Sequence, residues 1–180
     1  MNFTLDACGG KMEIYYNVDK KITKYYESPV ASGTRLGILL NDIKVYRKNY
    51  IFKGWYTSKI GGTKLDGNTI INKNMKIYAQ WTKIKIKRVD IKKLTYKKGK
   101  INVKFSKVKN IDSYIIQISS KKNFKSGKTK EYNVNKSKKN KKIKVKKNKI
   151  YYVRVRGVKK DSIGNNVYGK WSKTNKVRAK

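Results

Sequence analysis

Histidine is absent from this chain, cysteine occurs once, and Asp+Glu number only 10 against 48 Lys+Arg. Without histidine, no Ser-His or Cys-His nucleophile arrangement can be assembled within the chain. Zinc sites built on His or on several Cys are excluded as well. The single cysteine, Cys8, cannot form an intrachain disulfide. The acids are scattered singly and offer no obvious carboxylate pair for general acid–base work. The stretch GGTK lacks the spacing of a phosphate-cradling loop. No run is long and apolar enough to span a bilayer, so no transmembrane segment is expected. The opening MNFTLDACGG has neither the basic n-region nor the apolar h-region of a signal peptide. An enzyme is not expected, and neither a cofactor nor a metal.

What the chain has instead is lysine. Its formal net charge is +38 and its pI is about 10.3, far outside the ordinary range of a small soluble domain. Codon bias accounts for part of this, because Lys, Asn, Ile and Tyr all use AT-rich codons. Asp and Glu codons tolerate the same bias, yet acids are scarce, so some of the charge points to a partner. Aromatics make up 12% of the chain, with 14 Tyr. Disordered chains are poor in aromatic and β-branched residues, so folded β-structure is expected here. Residues 1–82 hold 13 Lys+Arg and 6 Asp+Glu, which leaves 35 and 4 for residues 83–180. That shift divides the chain into two domains, 1–82 and 83–180, with a tight linker from Thr82 to Arg88.

In the first half, Phe3, Leu5 and Ala7 alternate as in a half-buried strand. CGG then supplies a turn with φ > 0. A polar, Tyr-rich stretch follows, broken at ESP. TRLGILLNDIK is the one plausible helix, and a short one. YIFKGWY and KIYAQW read as strands, the latter with Ile77, Ala79 and Trp81 on one face. Four strand-like runs result. The second half reads as all-β, in RVDIKKLTY, KINVKFSKV, SYIIQIS, KKIKVKK, IYYVRVRGV and YGKWSKTNKVRA. In YYVRVR, Tyr151, Val153 and Val155 face one way, and Tyr152, Arg154 and Arg156 the other. About seven short strands in roughly a hundred residues predict a β-sandwich.

The motifs FTLDAxGG, FKGWYT, GGTKL and IYAQW, in that order, resemble the internalin B-repeat, also called the Listeria–Bacteroides repeat. The resemblance covers roughly residues 2–82 and implies a small β-grasp-like module of extracellular and cell-envelope proteins. Cys8 departs from the pattern, because the family usually has Asn there. The stretch between Gly10 and Gly37 is longer and more irregular than the pattern. KINVKFSKVKNIDSYIIQISSKKNF, IYYVRVRGV and VYGKWS resemble a bacterial cell-surface fibronectin type III domain. That resemblance implies that Phe105 stands where many relatives carry Trp. It also implies that Tyr151 is the corner tyrosine, its hydroxyl bonded to backbone a few residues upstream. The fold expected is mainly β, a β-grasp-like module followed by a fibronectin type III-like β-sandwich. The location implied is the cell envelope or the extracellular space.

Trp55 and Trp81 are expected in the core, since small domains need large apolar side chains to close one. Trp171 is expected near the sandwich edge. Cys8 is expected to be a small turn residue. The basic run from Asn135 to Lys149 is the sharpest functional candidate. It contains Lys138, Lys139, Lys141, Lys142, Lys144, Lys146 and Lys147. A strand here buries Ile143 and Val145 and projects Lys142, Lys144 and Lys146 from one face. Arg154 and Arg156 fall on the other sheet, so the charge is spread, which suits diffuse attachment to a polyanion. The opposing interpretation is a solvated lysine surface with no ligand. The partners expected are anionic cell-wall polymers such as teichoic acid, anionic lipids or glycosaminoglycans, bound by an adhesion or scaffolding fragment that is itself a monomer. The alternative is an accessory region of a larger envelope hydrolase. Nucleic-acid binding stands third, suggested by charge alone and without a basic recognition helix.

Overall fold

The computed structural model describes residues 1–16 and 19–180. Contacts divide it into two units, Met1–Ile84 with Asp161–Asn165, and Lys85–Lys160 with Asn166–Lys180.

The first unit runs β1 (Asn2–Asp6), β2 (Lys11–Tyr16), β3 (Asp19–Thr23), β4 (Tyr25–Pro29), β5 (Thr34–Arg35), α1 (Leu36–Leu40), β6 (Ile43–Tyr46), β7 (Tyr50–Tyr56), β8 (Ile70–Ile71) and β9 (Met75–Lys83). One sheet has the order β4-β1-β9-β7, with β1 and β9 parallel at its centre. A second has the order β3-β2-β6, and β5 pairs with β8. The alternation read from the sequence decides what is inside. Phe3, Leu5 and Ala7 are fully buried, Ile77 and Ala79 lie beside them, and Met12, Ile14, Leu36, Trp55 and Ile71 complete the core. Trp81 packs at its margin, 5.2 Å from Phe52, and donates its indole N–H to the Ala7 carbonyl at 2.9 Å. Helix α1 is only five residues long and has no side-chain N-cap bond. Helices this short are marginal on their own, so the buried Leu36 is what anchors it.

Among the described residues, nine strands stand where four runs are legible in the sequence. The additional ones are short or largely exposed, and so carry little hydrophobic alternation. ESP is not a break but the end of β4, an edge strand whose Pro29 sits at its last position. Proline is tolerated there because no central ladder N–H is lost. The long stretch after Gly10 is filled by β2 to β5; Asn17 and Val18 within it lie outside the described residues.

CGG does form the expected turn, with φ of 46° at Cys8 and 80° at Gly9. Asn adopts this left-handed region far more readily than other non-glycine residues, so a cysteine is a strained choice here. Here the turn is held by the Cys8 N–H donating to Asp6 Oδ1 at 2.8 Å and by Arg47 Nη1 donating to the Cys8 carbonyl at 3.1 Å. Burial and the Asp6 carboxylate push the Cys8 thiol above its ordinary pKa.

The second unit runs β10 (Ile91–Lys97), β11 (Lys100–Phe105), β12 (Ser113–Ser119), β13 (Thr129–Asn135), β14 (Asn140–Lys144), β15 (Lys149–Lys160), β16 (Asn166–Tyr168) and β17 (Asn175–Ala179). A three-stranded sheet, β10-β11-β14, faces a five-stranded one, β13-β12-β15-β16 with β17 also on β15. Every neighbouring pair is antiparallel. Ile101, Val103, Phe105 and Ile143 from one sheet meet Tyr114, Ile116, Ile118, Val134, Val153 and Val155 from the other. This is a fibronectin type III-like β-sandwich. Strand β13 escapes the sequence because only Val134 in TKEYNVN is buried.

Phe105 is buried with its ring 4.8 Å from that of Tyr114, whose hydroxyl accepts the Val108 N–H at 2.9 Å. The Tyr151 hydroxyl accepts the Lys146 N–H at 3.1 Å and lies 3.3 Å from the Lys146 carbonyl, to which it donates. Tyr151→Phe removes both bonds and leaves the ring in place. Lys146 is exposed and its peptide groups regain water, so the expected loss is about 0.5–1.5 kcal/mol. A urea titration of the full chain checks it: the transition of the second unit should move to lower urea and that of the first should stay.

Candidate polyanion-binding face

The lysines of the three-stranded sheet are placed by strand register. The β10–β11 hairpin turns at Lys98 and Gly99, both with positive φ (47° and 72°). Two such residues in a row make the tight hairpin turn that matches strand twist. It sets Lys97 opposite Lys100, Thr95 opposite Asn102 and Lys93 opposite Lys104. On the other side of β11, Lys100 faces Lys144, Asn102 faces Lys142, and Lys104 faces Asn140. Since Ile101, Val103 and Ile143 point into the core, all of these point outward. The outer face therefore carries Lys93, Lys97, Lys100, Lys104, Lys142 and Lys144, each exposed, around a polar centre of Thr95 and Asn102. Neighbouring strands lie about 4.8 Å apart, so several ammonium groups face each other directly, which is destabilising without a counter-ion.

No acid lies on this face. Glu131 is on the other sheet, in a row with Gln117 and Arg154. Gln117 Nε2 donates to Glu131, and Arg154 Nε donates to Gln117 Oε1 at 2.7 Å. Asp112 accepts the Lys159 ammonium and the Lys160 N–H, both at 2.8 Å. Burial works to raise the Asp112 pKa, and these two donors outweigh it, so the carboxyl sits below its ordinary value.

The sequence candidates separate accordingly. Lys142 and Lys144 are on the face, and Lys146 and Lys147 follow it, exposed. Lys138 and Lys139 lie in the exposed connection that leads into β14. Lys141 is opposite Val103, on the core side and half-buried, so it does not belong to the outward row. Lys93, Lys97, Lys100 and Lys104 join the face only through the strand register. The KKGK turn is the signal that locates them, because it fixes which lysines are cross-strand partners.

Arg154 and Arg156 are engaged elsewhere. The Arg154 guanidinium lies 4.0 Å from the Phe124 ring and 4.4 Å from that of Trp171. That of Arg156 lies 4.2 Å from Trp171 and 3.9 Å from Tyr168. Trp171 thus stacks with both cations, and Phe124 reaches its place with a φ of 52°, a strained value for a bulky residue. Burial pushes both guanidiniums below the ordinary arginine pKa, and for Arg154 the neighbouring Arg156 charge adds to it. Both remain cations at neutral pH. They are stacking partners of aromatic rings rather than free contact points, and Trp171 holds them. Trp55, Trp81, Phe105 and Tyr151 all pack in or against their cores.

Two mainly β units, one of them a sandwich with a lysine-covered outer face, make up the described chain. Residues 2–80 match the Listeria-Bacteroides repeat domain family. No match is found among curated proteins. Among solved structures, the FN1–FN3 domains of chicken CNTN1 align with a TM-score of 0.45 at 14% identity, covering 93% of this chain and 52% of that one. The chain thus spans about half the length of that fragment. A DUF3823 family protein from Bacteroides uniformis aligns with a TM-score of 0.41 at 11% identity over 99% of both chains.

Proposed function

We propose that this chain is a non-enzymatic part of a modular protein of the bacterial cell envelope or extracellular space, and that its second unit attaches to anionic polymers. The repeat-domain match over residues 2–80 supports the setting. The observation that carries the attachment is the outer face of β10-β11-β14, six exposed lysines with no acid among them. Opposed ammonium groups repel one another, and a polyanion laid over them relieves that repulsion while gaining its own attraction. Contacts of this type are long-range and screened over about 8 Å at physiological salt. Cell-wall teichoic acid and glycosaminoglycans both present such charge.

Binding of the full chain to immobilised heparin and to purified teichoic acid is expected to weaken steeply between about 0.05 M and 0.5 M salt, as screening predicts. The variant Lys93→Gln/Lys100→Gln/Lys104→Gln/Lys142→Gln is expected to bind both ligands about tenfold or more weakly, roughly 1.4 kcal/mol. Unchanged binding by that variant, or no binding by the unaltered chain at low salt, sinks the proposal.

A further inference from the structure

One flank of the sandwich is open. Strands β13 and β14 are edge strands of different sheets, so no ladder joins them, and a groove of about 580 Å³ lies along the gap. That is within the range of roughly 300–1,000 Å³ seen for small-ligand sites. Its apolar part is the side of the core, including Val145, Tyr132 and Tyr151, which are only partly buried. Its polar part is lysine.

Two of those lysines occupy unexpected places. Lys130 is two residues from Tyr132 and opposite Ile118, so it lies on the inner side of its sheet. Lys149 continues the inward series Tyr151, Val153, Val155 on β15. Alternation calls for an apolar residue at both positions. An inward charge is a known guard on an edge strand, which accounts for Lys130 on β13. Lys149 is the first residue of β15, paired with Ala179 of β17 on one side, while on the other the β12 ladder stops short of it at Tyr152. Lys128 and Lys146 add further ammonium groups, and no acid lines the groove. The groove therefore combines several lysines with an apolar, partly aromatic wall.

We infer that this groove is a saccharide subsite, taking one negatively charged sugar unit of a longer polymer. A pyranose ring has a C–H face for the Tyr132, Val145 and Tyr151 wall, and its carboxylate or sulfate meets Lys130 and Lys149. A bare phosphate chain offers charge but no apolar face. Lys144 belongs to both the groove and the lysine face, so a polymer on the face can place one of its units in the groove. This inference rests on the polyanion attachment proposed above and narrows it to anionic glycans.

The test uses the full chain with two probes, a heparin oligosaccharide and a linear polyphosphate of matched charge, at one fixed salt concentration. Lys130→Gln/Lys149→Gln is expected to lose about tenfold in affinity for the heparin oligosaccharide and less than twofold for polyphosphate. The face variant Lys93→Gln/Lys100→Gln/Lys104→Gln/Lys142→Gln is expected to weaken both probes alike. Both variants remove exposed charges, and an unchanged urea midpoint shows that the fold is intact. Equal losses for the two probes in the groove variant overturn the saccharide subsite and leave the general attachment standing. Absence of binding by the unaltered chain to either probe overturns the attachment itself. Selective loss for polyphosphate assigns the groove to phosphate and overturns the inference.

Discussion

Gly10→Ala should destabilise the first unit by about 3 kcal/mol, at the upper end of what overpacking a well-filled site costs. A methyl group on Gly10 falls 2.6 Å from Trp81 Cζ2, 2.9 Å from the Tyr46 carbonyl oxygen and 3.1 Å from that of Ala7. The Ala7 oxygen is not free to retreat, because it accepts both the Gly10 N–H and the Trp81 indole N–H, each at 2.9 Å. Tyr46 is held in register against Lys11. The indole is the only neighbour able to move, and moving it breaks its own hydrogen bond. Gly33→Ala is the control. It has a φ of 83° and open space around it, so it carries backbone strain without a clash and should cost about 1–2 kcal/mol. Urea titrations of the full chain, read by tryptophan fluorescence in the transition of the first unit, should show the larger shift for Gly10→Ala. The reverse order would mean that the glycine is there for its backbone and not for its missing side chain.

Trp171→Ala should cost the second unit about 2–4 kcal/mol, less than the full loss for a wholly buried tryptophan because the residue is only partly buried. Two effects add. The aromatic area against Arg154 and Arg156 is lost, and two neighbouring like charges lose the ring they share. The backbone around the ring is pinned independently: the Ser172 N–H donates to the Val155 carbonyl at 2.8 Å, and the Val155 N–H donates to Ser172 Oγ at 3.0 Å. Truncation therefore leaves a gap that cannot readily collapse. Trp171→Phe should recover about half of the loss, since a ring remains over the cations. Raising the salt concentration should recover part of the alanine variant's deficit by screening the arginine pair. A midpoint unchanged by Trp171→Ala would show that the stack contributes nothing.

Alternation made most of the core legible. Phe3, Leu5 and Ala7, then Ile77 and Ala79, then Val153 and Val155 are buried as a period of two requires. Strands β3 and β4 were not legible, because nearly all their residues are exposed or half-exposed and supply no apolar period. The row Lys142, Lys144 could be read from one strand. The wider face could not, because it exists only once the register of β10, β11 and β14 is known, and β14 is about forty residues from its partner. The stack around Trp171 was hidden for a similar reason. Arg154 and Arg156 face outward as their alternation implies, but Phe124, Tyr168 and Trp171 arrive from separate connections and strands, and their approach to the arginines is purely tertiary.

The single sign of the lysine face also governs how neighbouring copies behave. Two molecules approaching through β10-β11-β14 meet six ammonium groups on each side, so their charge opposes that approach. On a surface crowded with this protein, each copy then holds its own ground. Lateral separation follows the screening length of the medium, about 8 Å at physiological salt and three to four times that in dilute solution. Under the attachment proposed above, coverage of an anionic layer should be sparse in fresh water and denser in brine until salt begins to strip the protein off, giving a maximum at intermediate ionic strength.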